Sequence, residues 1–205
     1  MKIERINTYT DQRFSREVLF EHGAFLIDDC RPCSFKIRDY CSAVVLFDDY
    51  SNIEPIIEEF RFYAEHITVF YDQLGNKIAE YPPIPLKTVP LEEIQPSQFY
   101  VDTDKVQAVS TFIFNEHDII LPVTYDKRLG RYISLDGHTR MYYAYSQGWK
   151  TINVFESQTD SYIFSFVDEA RNRGVFSAKD LIRLPHEEYV QKWDKFCDEF
   201  FTDNT

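Results

Sequence analysis

For chemistry, the most informative stretch of this 205-residue chain is Arg131-Tyr132-Ile133-Ser134-Leu135-Asp136-Gly137-His138-Thr139-Arg140. It reads as a strand ending at Asp136, a glycine that permits a tight turn, and a helix that starts at once and stops at Gly148. The first turn of a helix presents unpaired N–H groups and the positive end of the helix dipole. Gly137 would let an anion approach that backbone with no side chain in the way. His138 and Arg140 add side-chain donors, and arginine can grip phosphate through two parallel hydrogen bonds. Asp136 can orient His138 or Arg140, hold a magnesium ion, or accept a proton. The expectation is a phosphate site on Gly137, His138, Thr139 and Arg140 with an acid beside it. Plain strand–helix packing is the other reading of the same residues.

Other chemical groups weigh less. Cys30-Arg31-Pro32-Cys33 has the spacing of a redox or zinc half-site, but Pro32 and the strand pattern after it point to two thiols at a hairpin turn. No second Cys-x-x-Cys exists, so no metal site is expected. His22 falls at the end of a short helix before Gly23, and Glu65 and His66 at a helix-to-strand boundary. Tyr142, Tyr143 and Tyr145 lie on both sides of the helix after the box. Core packing is their commoner use, and base stacking the alternative.

The segment Val89-Pro90-Leu91-Glu92-Glu93-Ile94-Gln95-Pro96-Ser97, then a helix, a strand pair and Leu135-Asp136-Gly137-His138-Thr139-Arg140, resembles the ParB/sulfiredoxin superfamily domain over about residues 86–157. The resemblance implies a phosphate-binding role for the box and an α+β fold. Sulfiredoxin chemistry is not expected, because the box has His138 where those proteins carry cysteine and no cysteine lies within residues 42–196. The partition-protein branch fits poorly, since residues 158–205 hold six basic and ten acidic groups where a basic DNA-binding region would follow. The free-serine kinase branch is most similar. Gly174-Val175-Phe176-Ser177-Ala178-Lys179 matches part of its C-terminal motif, which implies that Ser177, Lys179 or Arg183 holds a small hydroxyl-bearing substrate. Its catalytic glutamate has Gln98 as nearest counterpart here. Gln98 cannot act as a base, so Asp136, Asp102 or Asp104 would have to replace it. The expected activity is therefore nucleotide-dependent phosphotransfer, with ATP or ADP as cofactor and Mg2+ as an accompanying ion. The alternatives are a non-catalytic nucleotide- or ligand-binding regulator that lost the base and, third, a nuclease.

The elements that must position these groups follow from hydrophobic spacing. Short strands are expected at 24–27, 34–38 and 42–47. A helix starts near Ile53 with Asn52 as cap and Pro55 in its first turn. A hairpin pairs 67–71 with 77–81 around a five-residue loop. Tyr81-Pro82-Pro83-Ile84-Pro85 is a stiff connector. Beyond it come a strand at 86–89, a helical turn at 90–94 and a helix from Asp102 or Thr103 to Phe112. A hairpin of 119–125 with 132–135, a helix at 139–147 and a strand at 152–155 follow. Helices at 162–173 and 186–201 close the chain, the last a core or dimer-contact helix. The expected architecture is α+β: a region 1–81 of unassigned role, a ParB/sulfiredoxin-like domain at 86–157 and a helical extension at 158–205.

Composition limits the partners. Hydrophobic residues make up 44% and aromatics 17%, enough apolar surface to offset chain entropy, so a folded protein is expected. The net charge of −12 is shared evenly between 1–85 and 86–205, and argues against broad binding to nucleic acid or to an anionic membrane. No stretch approaches the ~18–20 apolar residues of a membrane span, and the polar N-terminus lacks a signal core. Cytoplasm is the expected compartment.

Overall fold

The computed structural model describes residues 1–203. It is mixed α and β, and the described residues fall in two compact units, Met1–Pro85 and 86–203. No helix among the described residues is long and apolar enough to cross a membrane.

The first unit is a six-stranded sheet. Its strands β1 (Ile3–Arg5), β2 (Ala24–Ile27), β3 (Arg31–Ile37), β4 (Ser42–Leu46), β5 (Val69–Tyr71) and β6 (Lys77–Glu80) lie side by side in chain order. Neighbours run antiparallel except β4 and β5, which are parallel. A parallel pair needs a crossover, and helix α2 (Glu54–Tyr63) supplies it. Pro55 sits in the first turn of α2, where a missing N–H costs little. Ile56, Ile57 and Phe60 form its buried face. The cap is Ile53 rather than Asn52, and no side chain caps the helix. A shorter helix, α1 (Arg16–Phe20), is capped by Ser15. Between β2 and β3 the register pairs Ile27 with Arg31 and leaves a three-residue turn, Asp28-Asp29-Cys30, whose first two residues are in the left-handed region at φ 50° and 63°. The two thiols therefore do not share the turn: Cys30 is its last residue, exposed, and Cys33 is buried inside β3. Gly23 meets the backbone of β3 so closely that an added Cβ would lie 2.1 Å from the Phe35 carbonyl oxygen.

The second unit holds a five-stranded sheet in the order β7–β12–β10–β11–β8, made of β7 (Lys87–Pro90), β8 (Ile94–Pro96), β10 (Ile120–Asp126), β11 (Arg131–Ser134) and β12 (Thr151–Glu156). Apart from it, β9 (Tyr100–Asp102) pairs in parallel with β13 (Ile182–Leu184). Helices α3 (Thr103–Val109), α4 (His138–Ser146) and α5 (Tyr162–Asn172) complete the body. Strands β1, β8, β9 and β13 were not expected from the sequence. Each is three residues long, too short to show alternation, and β8 ends in a proline. The expected last helix is interrupted: α6 (His186–Tyr189) passes through a π-helical turn at Val190–Asp194 into α7 (Lys195–Asp203). Trp193 and Phe196 pack on Phe99 at 5.0 and 5.1 Å between ring centroids, so this segment covers the unit's own core. Ala170, Val175, Ala178 and Leu181 join the same core as Leu121 and Val154.

Candidate functional site

At the end of β11 the chain turns at Gly137, with φ 79°, and α4 begins at His138. Leu121 of β10 fills the space beside the glycine. A Cβ there would lie 2.3 Å from Leu121 Cδ2 and 3.0 Å from two guanidinium nitrogens of Arg140. Glycine is thus demanded by backbone sign and by packing. The expectation that its bare Cα faces a ligand is corrected, because Leu121 and Arg140 occupy that side.

His138 is also turned inward. It is buried, and its Nε2 accepts a hydrogen bond from the Ser97 N–H at 3.2 Å and lies 2.9 Å from Ser134 Oγ and 3.1 Å from Ser97 Oγ. Ser97 Oγ donates its proton to the Ser134 carbonyl at 2.8 Å. The donor to Nε2 among the hydroxyls is therefore Ser134, and the imidazole proton sits on Nδ1. Burial pushes the His138 pKa down to about 4, so the ring is neutral at pH 7. It holds the start of α4 to the segment after β8 and is not a phosphate donor, which corrects the expectation for this residue.

Arg140 donates to the Ile120 carbonyl at 2.8 Å and lies 3.5 Å from the carboxylate of exposed Asp136. Burial lowers its pKa, yet an arginine retains its charge. Asp136 is thus tied to the arginine of its own box. Thr139 is half-buried. No side chain caps α4, and its first turn carries no acid. The groups left for an anion at this corner are the first-turn amides, the Thr139 hydroxyl and those Arg140 donors not given to Ile120 or Asp136.

A second constellation lies where β9 and β13 pair. Asp102 ends β9, is 1% exposed, and caps α3 by accepting the Asp104 N–H at 2.8 Å through Oδ1. Its other oxygen is 2.7 Å from Nδ1 of His186, the first residue of α6. The His186 side chain is 58% exposed. The Asp102 carboxylate raises the His186 pKa above its ordinary value, chiefly through this hydrogen bond. Gln98 is held on both sides: its amide donates to the Tyr100 carbonyl at 2.5 Å and to the Tyr189 hydroxyl at 3.0 Å. Burial pushes the Tyr189 phenol well above its usual range, so it stays protonated. Lys105 lies 4.8 Å over the Tyr189 ring.

Ser177 does not point to a substrate. Its hydroxyl and N–H both go to Asp180, at 3.1 and 3.0 Å, in a local cap. Arg183 donates to the Thr103 hydroxyl at 3.1 Å, which in turn donates to the Leu184 carbonyl. That pair stitches β13 to the start of α3, so Arg183 is structural on that side. Lys179 is exposed. The structure therefore pairs Asp102 with His186 and Gln98 with Tyr189, and Ser177 bonds to neither pair. His186, Tyr189, Ser97 and Ser134 were not singled out from sequence. His186 stands 84 residues from its partner, and no local spacing announces such a pair.

Among the described residues, one set has metal-ligating atoms close enough to share an ion: Asp102, Asp104 and His186, within 4.8 Å of one another. His186 Nδ1 is already engaged by Asp102, so a cation there would compete with that hydrogen bond. Cys33 is inert to redox use, since burial pushes its thiol up to about 12.

The fold is thus an α+β protein whose second unit holds a buried Ser–His–Ser network and, at the β9–β13 pairing, a carboxylate–imidazole pair. No protein-family pattern matches the chain, and no curated protein matches it. Among solved structures, the crystal structure of protein Atu1540 from Agrobacterium tumefaciens is similar to part of it at 19% sequence identity and TM-score 0.34. The match covers 48% of this chain and 62% of that one, less than two thirds of its length.

Proposed function

We propose that the second unit is a nucleotide-dependent phosphotransferase of ParB/sulfiredoxin type, with ATP or ADP phosphates at the first turn of α4 and a small hydroxyl-bearing acceptor beside it. The observation that carries the reading is the α4 N-terminus, which follows a left-handed glycine, has no side-chain cap and no acid in its first turn, and has Arg140 on that turn. First-turn amides with an arginine beside them attract phosphate through hydrogen bonds and the helix dipole. The transfer itself needs positioning and charge stabilisation more than covalent help.

Thermal unfolding with ATP, ADP and CTP, with and without Mg2+, tests the binding half. A ligand at one hundred times its Kd adds about 2.7 kcal/mol of stability. Stabilisation by a nucleotide that Arg140→Ala abolishes supports the site, and no stabilisation by any of the three removes it. Formation of phosphoserine from free serine and nucleotide tests the transfer half.

The second reading, a nucleotide- or ligand-binding regulator without catalysis, is favoured by Gln98. Its amide is fixed between Tyr100 and Tyr189 and offers no proton acceptor where a base is expected. Binding without turnover would select it.

A further inference from the structure

We infer that His186, held by Asp102, is the general base that takes the proton from the acceptor hydroxyl in that transfer. The inference rests on the phosphotransferase reading and supplies the base that Gln98 cannot.

The geometry is that of an imidazole oriented for proton transfer. One oxygen of Asp102 is enough to cap α3, and an asparagine or serine would serve a cap equally well. The second oxygen of this buried carboxylate is committed to His186 Nδ1 at 2.7 Å. A carboxylate accepts only, so Nδ1 carries the proton and Nε2 keeps its lone pair. The side chain is 58% exposed, so the ring is not enclosed by its neighbours. The register of the small sheet sets the pair, because Leu184 lies opposite Asp102 and places His186 two residues beyond it. Thr103 locks the crossing by donating to the Leu184 carbonyl.

Chain neighbours of the pair make hydrogen bonds toward the start of α4. Ser97 meets His138, the first residue of α4, and Gln98, the next residue, meets Tyr189, one turn after His186 in the C-terminal segment. Helix α4 packs on both β9 and α3, the elements that Asp102 joins. In the step, an oxygen lone pair of the acceptor forms the new bond to the terminal phosphorus. The bond from that phosphorus to the nucleotide's bridging oxygen breaks, and its electrons stay on the departing nucleotide. The hydroxyl proton passes to His186 Nε2, and Asp102 stabilises the resulting imidazolium before the proton leaves to solvent. The charged groups facing the ring are Asp102 and Asp104, which favour its protonated form, and Lys105, which opposes it. Arg183 on β13 is turned to Thr103.

The test uses the full chain, serine as acceptor and ATP or ADP as donor. His186→Ala should lower kcat on the order of 10²–10³-fold, with KM and the nucleotide-induced rise in melting temperature unchanged. Added imidazole should restore part of the rate, which a merely structural histidine would not show. Asp102→Asn keeps the helix cap and should move the acid limb of the pH–kcat profile to lower pH, because the base must be unprotonated and loses the group that raises its pKa. Full turnover in His186→Ala overturns the inference while the phosphotransferase reading stands, as does a loss of rate that imidazole leaves untouched. Nucleotide stabilisation without transfer in the wild type also overturns it and leaves the binding half of the reading intact. No stabilisation by any nucleotide overturns both.

Discussion

The two units bury different things. In the first, the interior is almost wholly apolar, and its centre is a set of phenylalanines: Phe35 and Phe60 stack at 4.1 Å, with Phe25 and Phe70 edge-on around them. Of the nine buried polar or charged residues among those described, only Ser42 and Thr68 lie there. The second unit buries the other seven, Gln95, Ser97, Asp102, Asp126, Ser134, His138 and Ser177. A buried polar group costs stability unless each of its donors and acceptors is met. The hydrogen bonds of these residues show how the cost is offset. Gln95, for example, donates to the Pro96 and Val175 carbonyls and accepts from Arg171. The contrast teaches that one unit uses its interior for cohesion, and the other for holding polar side chains in fixed orientations, as a binding or catalytic site needs.

The largest expected effect tests the apolar side of the contrast. Phe60→Ala removes the ring that stacks on Phe35 and touches Phe25 and Phe70, and should cost the first unit about 3–5 kcal/mol. Peptide-resolved labelling of buried Cys33 in urea reads this unit. A loss below about 1 kcal/mol would mean that the phenylalanine cluster is not what holds it together.

Next in size is a pH effect on the second unit, followed by tryptophan fluorescence because Trp149 and Trp193 both lie in it. The folded unit keeps His138 neutral down to about pH 4, whereas the unfolded imidazole protonates near its ordinary value of 6.5. Stability is therefore fully present above pH 6.5 and is lost as pH falls through the window to 4. The loss is on the order of 3 kcal/mol. His138→Gln should flatten that window, and an unchanged slope in the variant would assign the acid sensitivity to other groups.

The smallest effect has the opposite sign and belongs to the first unit. Burial and the nearby Glu17 charge push Glu21 up to about 7, one of its oxygens has no hydrogen-bond partner, and the Ile37 amide opposes the shift. Between pH 4.5 and 7 the folded carboxyl keeps a proton that the unfolded chain releases, so this unit loses stability as pH rises. The shift is as large as that of His138, but this carboxyl is only half-buried, so solvent screening holds the change to about 1 kcal/mol. Glu21→Gln should abolish it, read as Cys33 labelling relative to exposed Cys30 between pH 5 and 7. Slopes of the same sign in both units would break the comparison.

Local signals carried much of this structure. The amphipathic spacing of Ile56, Ile57 and Phe60 marks α2, Asp102 marks the start of α3, and Gly137 and Gly148 bracket α4, because periodicity and capping act over a few residues. The same locality explains the failures. Three-residue strands such as β9 and β13 exist through their partners, and the π turn at Val190–Asp194 accompanies the seating of Trp193 and Phe196 on Phe99.

By itself, then, the amino-acid order determined that the chain has an α+β succession of elements and that a strand, a glycine turn and a helix meet at residues 134–138. Only the tertiary structure decided what the side chains there face. Leu121 fills the space beside Gly137, Ser97 and Ser134 draw His138 inward, and the pairing of β9 with β13 delivers His186 to Asp102 across 84 residues. The physical reason is that a residue's type and neighbours set its backbone preference and the face it presents. Its hydrogen-bond partner is set by sheet register and helix packing, which join positions far apart in the chain.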